Sequence, residues 1–166
     1  LIEGMLLEDP QNEELLLYAA QGFYGYSYGF IELEDKERAQ QLYRRCYDYA
    51  LRALHLSGFE LDPETAAIAD LEAATAKLGK EAVPALFWSA SCLAKWIDLD
   101  RDDISSVASL ASAAILMQRV LELDDSFYYG GPHLFFGVYY GSRSPMLGGN
   151  FALSEEHFQR ADEINQ

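Results

Sequence analysis

The three histidines are the first residues to examine for chemistry, because an imidazole can ligate zinc and can transfer protons near neutral pH. His55, His133 and His157 are separated in the sequence. None of them belongs to a His-Glu-x-x-His motif or has a second ligand at a spacing typical of metal sites. We therefore expect no metal site built on histidine, and we interpret each histidine as an isolated solvated or capping residue.

One acidic segment, Asp98–Asp103, resembles the beginning of a calcium-binding loop. Such a loop needs glycine at its sixth position and glutamate at its twelfth, whereas this chain has Asp103 and Ser109 at those positions. We interpret the segment as a solvated loop that caps the following helix, with a cation site as the less favoured alternative.

Glycine-rich segments are the next candidates, since glycine loops bind phosphates and surround nucleophilic serines. Residues 130–132 (Gly-Gly-Pro) and 148–149 (Gly-Gly) match neither G-x-G-x-x-G nor the G-K-[ST] ending of a phosphate loop. Residues 141–144 (Gly-Ser-Arg-Ser) do not match the G-x-S-x-G nucleophile elbow, and no predicted strand precedes them. The patterns predict a protein that is not an enzyme and uses no cofactor.

Composition and charge exclude further classes of protein. The 166 residues include 12 Lys and Arg against 27 Asp and Glu, which gives a net charge of −15. This balance excludes a nucleic-acid binder and docking on an anionic membrane through basic residues. Residues 1–35 contain eight carboxylates and no Lys, Arg or His, whereas residues 36–52 contain five basic residues. We expect the two helices formed there to pair through faces of opposite charge.

Helical periodicity dominates the chain, and no stretch alternates cleanly enough to predict a strand. Helices are expected near residues 11–30, 34–56, 62–78, 81–97, 103–123, 133–140 and 150–164. Gly22, Gly25 and Gly29 share one face of the first helix, which indicates close approach of a neighbouring helix. Cys46 and Cys92 fall within helical patterns, so we interpret them as separate buried thiols, with a bridge between them as the less favoured alternative.

A repeated pattern of small, large and small residues occurs in three of these helices. The triplets are Ala39-Tyr43-Cys46, Ala113-Met117-Val120 and Ser154-Phe158-Ala161. Such spacing is typical of the second helix of a tetratricopeptide-like repeat. It predicts an all-α fold in which antiparallel helix pairs stack as a degenerate tetratricopeptide-like array (an α-α superhelix), in a single domain over residues 1–166. An ordinary helical bundle is the alternative.

Aromatic residues make up 13% of the chain and occur on more than one face of the first helix. One core face cannot bury them all, so we expect some of them to line a groove, a cavity or an interface. Two uncharged segments, residues 82–94 and 104–118, are too short to cross a membrane. We expect them in the core, with an apolar cavity or a contact with another subunit as the alternatives. The candidate ligand- or partner-binding residues are Tyr26, Phe30, Phe87, Trp88, Trp96, Tyr139 and Tyr140.

Three segments resemble a known family of transport proteins. They are residues 131–140 (Gly-Pro-His-Leu-Phe-Phe-Gly-Val-Tyr-Tyr), residues 144–150 (Ser-Pro-Met-Leu-Gly-Gly-Asn) and residues 154–161, with further similarity over residues 14–32. The sequence resembles the T component of tripartite ATP-independent periplasmic (TRAP) transporters. The resemblance implies an all-helical, repeat-like periplasmic lipoprotein that forms a homotrimer. It also implies the solute-binding subunit as partner and apolar or organic-acid ligands.

The sequence thus predicts a non-enzymatic accessory component of a TRAP-type transporter, which serves as a scaffold for the solute-binding subunit and as a conduit for an apolar ligand. The alternative is a protein-interaction domain of helical repeats without a small ligand. An enzyme, with Asp98, Asp102 and His133 converging in space, is the third hypothesis. Because the lipid-attachment cysteine and signal segment of the family are missing, we interpret the chain as a piece of a longer protein.

Overall fold

The computed structural model describes the backbone of residues 1–99 and 104–166, and their side chains except those of residues 104–107. Most of the calcium-like segment, residues 100–103, therefore lies outside the described residues. The described part is helical and contains no β-strand, which confirms the predicted all-α class. Its α-helices are α1 (Ile2–Glu8), α2 (Glu13–Tyr26), α3 (Lys36–Leu56), α4 (Ile68–Ala76), α5 (Val83–Asp98), α6 (Ile104–Leu123), α7 (Phe127–Gly141) and α8 (Phe151–Ile164).

Local signals determine where several helices begin. The side chains of Asn12, Asp35 and Asn150 each accept a hydrogen bond from the backbone N–H three residues further along the chain. These bonds satisfy N–H groups that the first turn of a helix leaves unpaired. Pro84 is the second residue of α5, where a missing N–H costs no helical hydrogen bond. As a result, α2, α3, α5 and α8 begin within two residues of their predicted starts.

Other boundaries differ from the predictions. The helix predicted over residues 62–78 is observed as α4 and begins only at Ile68. The reason is that the Asp62 carbonyl accepts hydrogen bonds from Thr65 and Ala66 N–H and closes a separate turn. The predicted helix over residues 11–30 is divided, since α2 gives way to a π-helical turn, Ser27–Ile31. Helix α7 includes an opening turn from Phe127 that precedes the predicted start at His133, and its right-handed turns begin after Gly130.

The helices pack as consecutive pairs, with α2 on α3, α5 on α6 and α7 on α8. Each predicted triplet lies on the second helix of one pair, that is on α3, α6 or α8. The first two triplets are completely buried. In the third, Phe158 is 42% exposed, and its ring covers Gly137 of α7 so closely that a Cβ there would lie 2.7 Å from it. Gly137 therefore permits the close pairing of α7 with α8.

Helix α5 is the centre of the core and packs against both α3 and α6. Its residues 85–93 are all buried, so the expectation that the uncharged segment 82–94 is core is confirmed. Burial of this continuous apolar stretch is the main hydrophobic contribution that joins the first two helix pairs. Among the described helices, none combines the length and the apolar character needed to cross a membrane.

A disulfide joins Cys46 of α3 to Cys92 of α5, so the interpretation as separate thiols is wrong. The two Cα atoms lie 5.7 Å apart, within the range of about 4.4–6.8 Å that a disulfide spans. Both residues are completely buried. The packing of α3 on α5 brings the two thiols together across 46 residues of sequence, which helical periodicity alone could not show.

The glycines of α2 and its π-helical turn do not mark a helix contact within the chain. Among the described residues, a Cβ built at Gly22, Gly25 or Gly29 would meet no atom within 4 Å, so the predicted close approach is wrong for the helices of this chain. Helix α2 instead buries Leu16, Ala19 and Ala20. The glycine side of the helix stays open.

The predicted attraction between the acidic N-terminal region and α3 is observed at one place. Arg45 of α3 forms an ion pair with Glu3 of α1, and the Tyr49 hydroxyl donates a hydrogen bond of 2.7 Å to the same carboxylate. Arg44 instead pairs with Glu64, at 2.8 Å. Most of the N-terminal carboxylates are therefore not neutralised by α3.

Candidate functional site

The seven predicted binding residues fall in four separate places instead of one site. Tyr26 and Phe30 are exposed on α2 and its π-helical turn, with ring centroids 5.9 Å apart. Phe87 and Trp88 are buried in α5. Trp96 lies at the other end of α5, where the Arg44 guanidinium is 5.0 Å from its ring. The remaining two are the partly buried Tyr139 and Tyr140 on α7.

Phe87 and Trp88 form the middle of an aromatic cluster that connects α2, α5 and α7. Trp88 packs edge-on against Tyr24 at 5.5 Å and Tyr128 at 5.0 Å between ring centroids. Phe87 packs in the same way against Phe127, at 5.2 Å. Edge-to-face contacts of this kind stabilise a fold beyond the area that they bury. Burial in the cluster raises the pKa of Tyr24 to about 12.

The turn that opens α7 has an unusual backbone. Tyr128 (φ 48°), Tyr129 (φ 61°) and Gly130 (φ 74°) are all left-handed, and right-handed helical turns begin only after them. A left-handed residue other than glycine costs on the order of 1 kcal/mol. The turn is held in place because the Asn165 amide donates a hydrogen bond of 2.8 Å to the Tyr129 carbonyl. Gly130 packs so closely on Ala161 that a Cβ would lie 3.3 Å from its Cα.

The strained turn places the Tyr128 side chain beside α2. The Tyr128 hydroxyl lies 3.5 Å from the Gln21 amide nitrogen, and its ring remains half-exposed. Tyr129 is 72% exposed. With Tyr18, Tyr26, Tyr28 and Phe30 of α2 and the π-helical turn, these two form a set of six exposed aromatic side chains that we name the aromatic face.

His133 and His157 lie together between α7 and α8, so their interpretation as isolated residues is wrong. Their Nδ1 atoms are 2.9 Å apart. The His133 Nε2 atom lies 3.3 Å from Asp125 Oδ2, and Arg160 is 3.4 Å from the same carboxylate oxygen. The His157 ring also stacks on Tyr140, at 5.9 Å between centroids. The contact forms because α8 packs antiparallel to α7 after a short turn, which no pattern within either helix predicts.

The histidine cluster has perturbed ionisation. Burial lowers the pKa of His157, and the neighbouring His133 lowers it further. A hydrogen bond from His133 holds the pKa of Asp125 below its usual value, and Arg160 acts in the same direction. Among the described residues no group of three or more His, Cys, Asp or Glu side chains is arranged to hold a metal ion.

A second polar cluster, also missed in the sequence, lies beside the π-helical turn. Lys95 Nζ is 2.6 Å from Glu32 Oε1, and the Tyr43 hydroxyl donates a hydrogen bond of 2.5 Å to Glu32 Oε2. The ammonium also lies 5.2 Å from the centre of the Tyr28 ring. Burial and the bond to Glu32 raise the pKa of Tyr43. The cluster fixes the π-helical turn against α3 and α5.

Two open depressions lie elsewhere on the surface. One, of about 440 Å³, lies where α6 leads into α7 and is lined by residues that include Lys80, Asp125 and His133. The other, of about 290 Å³, lies between Pro10 and the end of α3 near Arg52. Neither depression contacts any of the seven predicted binding residues.

The family model described as "TRAP transporter T-component" matches residues 1–166, the whole chain. A comparison with curated proteins gives no significant match. The match to the family model covers the segment 131–161 where the resemblance was most specific. The chain therefore belongs to the T-component family of TRAP transporters.

Proposed function

We propose that this protein is a non-enzymatic accessory component of a periplasmic TRAP-type transporter and serves as a scaffold for the solute-binding subunit. The observation that supports this proposal most strongly is the aromatic face, on a chain that matches the family model throughout its length. A surface with this many exposed aromatic side chains is typical of a protein–protein interface, because tyrosine combines apolar area with a hydrogen-bonding group.

A periplasmic location is supported by the disulfide between Cys46 and Cys92. Disulfides persist in oxidising compartments such as the bacterial periplasm and are rare where thiols are kept reduced. Anchoring through a lipid and assembly into a homotrimer are further parts of the proposal, and both rest on the family resemblance.

The proposed architecture of the scaffold is a degenerate tetratricopeptide-like array. It is supported by the three consecutive helix pairs and by the position of one small–large–small triplet on the second helix of each. In such arrays each pair contacts mainly its neighbours, which leaves extended surfaces for partners.

A role as conduit for an apolar or organic-acid ligand is the second part of the proposal. The cluster around Phe87 and Trp88 supports it, because the half-exposed Tyr128 lies between these buried rings and the surface. A ligand that enters there would displace Tyr128 and change the environment of Trp88. Titration with an apolar fluorescent probe should therefore change the emission of Trp88, while Tyr128→Ala should alter the affinity for the probe.

The direct test of the scaffold role is binding to the solute-binding subunit of the same transporter. We expect the two purified proteins to form a complex that size-exclusion chromatography with light scattering resolves. Failure to form a complex at tens of micromolar would contradict the proposal. Binding of the subunit without any effect of apolar probes would instead favour the alternative, an interaction domain with no small ligand.

A further inference from the structure

On its open side, α2 and the π-helical turn expose backbone at three glycines, Gly22, Gly25 and Gly29, which we name the glycine floor. Gly22, Gly25 and Gly29 follow one another at spacings of three and four residues and share one face of the helix. A Cβ at any of them would meet no described atom within 4 Å, so this floor is open to a partner. From Tyr18 to Gly29 it extends about 16 Å, at the α-helical rise of about 1.5 Å per residue. That length accommodates three turns of another helix.

Aromatic side chains stand on both sides of the floor. On one side, Tyr28 is 63% exposed and stacks on Tyr24, which connects it through Trp88 to Tyr128. On the other side, Tyr26 pairs with Phe30, which is 71% exposed. On the aromatic face, exposed glycine backbone is thus flanked by aromatic side chains, and we refer to this strip as the groove.

The backbone strain of the α7 turn supports a role in recognition. The left-handed conformations of Tyr128 and Tyr129 destabilise the fold. Packing of the Tyr129 side chain offsets little of this cost, because that side chain is mostly exposed. The conformation places Tyr128 beside Gln21 at the edge of the groove. Two distant segments of the chain thus contribute exposed tyrosines to the same surface.

The charge around the groove indicates the chemistry of its partner. Residues 1–35 contain no cationic side chain. Two of their carboxylates are neutralised within the chain, since Glu3 pairs with Arg45 and Glu32 with Lys95. Glu13 and Glu14, at the start of α2, are exposed and form no described ion pair. A partner that covers the groove therefore meets excess negative charge at this end.

We infer that the aromatic face docks a helix of the solute-binding subunit, with an apolar stripe on the glycine floor and Lys or Arg near Glu13 and Glu14. The inference rests on the proposed function and adds the surface and the chemistry of the docking segment. The glycine floor lets the partner helix approach closely, and the tyrosines bury its flanks and hydrogen-bond its polar edges.

The decisive variant is Gly25→Leu, in the middle of the floor. Its side chain meets no described atom of this chain, and leucine favours a helix over glycine, so the melting temperature should stay equal or rise. The same side chain occupies the space of a docked helix, so the affinity for the purified solute-binding subunit should fall at least tenfold in calorimetric titration. Loss of binding without loss of stability cannot arise from misfolding.

Gly4→Leu is the matched control, because Gly4 of α1 is also an exposed helical glycine with no described atom within 4 Å of its Cβ position. It should bind the subunit as the parent protein does.

A second pair of variants tests the charge. Glu13→Gln/Glu14→Gln should weaken binding severalfold at low salt and reduce its salt dependence, whereas Glu155→Gln/Glu156→Gln on α8 should not.

Several outcomes would overturn the inference. If Gly25→Leu binds the subunit as tightly as the parent protein, the aromatic face is not the docking surface, although the scaffold function stands. If the parent protein itself fails to bind the subunit, the proposed function and the inference are both wrong. If Gly25→Leu changes the mass of the free protein in sedimentation, the face is occupied by a second copy of this chain and the inference is wrong.

Discussion

The Nδ1 atom of His133 lies 2.9 Å from the Nδ1 atom of His157, so only one of these two nitrogens can carry a hydrogen. The Asp125 carboxylate lies next to the opposite nitrogen of His133 and accepts its Nε2–H. Because the other Nδ1 must accept that hydrogen, the two rings cannot both be protonated while the contact between α7 and α8 is intact.

This arrangement makes stability depend on pH. Because burial and His133 lower the pKa of His157 in the fold, the unfolded chain binds more protons than the folded one below about pH 6.5. The free energy of unfolding should thus decrease as the pH falls from that value toward the lowered pKa. Thermal unfolding of the parent protein and of His157→Gln between about pH 5 and pH 8 checks this, since the variant should show the weaker dependence.

The control for this experiment is His55→Gln, since His55 contacts the Leu61 carbonyl and lies outside the cluster. It should retain the full pH dependence of the parent protein. Equal slopes for the parent protein and His157→Gln would show that the histidine pair does not cause the effect.

The disulfide should contribute strongly to stability. Because it closes a loop of 46 residues, Cys46→Ser/Cys92→Ser should lower the free energy of unfolding by about 2–4 kcal/mol. Urea unfolding with and without a reducing agent measures the effect. The reducing agent should destabilise the parent protein and leave the double variant unchanged, and equal sensitivity of both would contradict the prediction.

The left-handed turn predicts an unusual stabilising substitution. Tyr129→Gly removes the strain at φ 61° and loses little packing, so the free energy of unfolding should rise by up to about 1 kcal/mol. Chemical denaturation measures the change. Tyr139→Gly is the comparison, because that residue is right-handed and packs against Phe135 and Phe136, and the variant should be clearly destabilised. Destabilisation by Tyr129→Gly would show that the exposed ring contributes more than the strain costs.

The ion pair of Glu32 and Lys95 should be worth more than a surface pair, since both side chains are about four-fifths buried. Lys95→Met leaves the carboxylate with the Tyr43 hydroxyl as its remaining described donor and should cost about 1–2 kcal/mol. A double-mutant cycle with Glu32→Leu measures the coupling between the two side chains. The double variant should be less destabilised than the sum of the single variants, and strict additivity would rule out a direct interaction.

Much of the fold could be predicted from local patterns. The start of α3 followed from Asp35, because a cap acts within a few residues of its own position. The start of α4 could not be placed in this way, since Asp62 offers a cap and also closes a competing turn.

The functional surfaces were less predictable because they depend on which helix faces meet. The glycines of α2 have the same spacing whether they contact a helix of this chain or remain open, and the structure leaves them open. His133 and His157 are 24 residues apart and meet only when α8 folds back on α7. Aromatic content correctly indicated that some rings remain at the surface, as Phe30 does, but gave no means to separate them from buried Trp88.

The disulfide makes part of this protein a covalent ring. All of α4 and the segment that precedes it, in which Glu60 and Thr65 are exposed, lie between Cys46 and Cys92. A protease that cuts the chain beside Glu60 or Thr65 would open the ring without releasing a fragment. The nicked protein would keep the mass of the intact chain, apart from one added water, until its disulfide is reduced. A single cut in this segment would therefore leave the two parts of the molecule tethered.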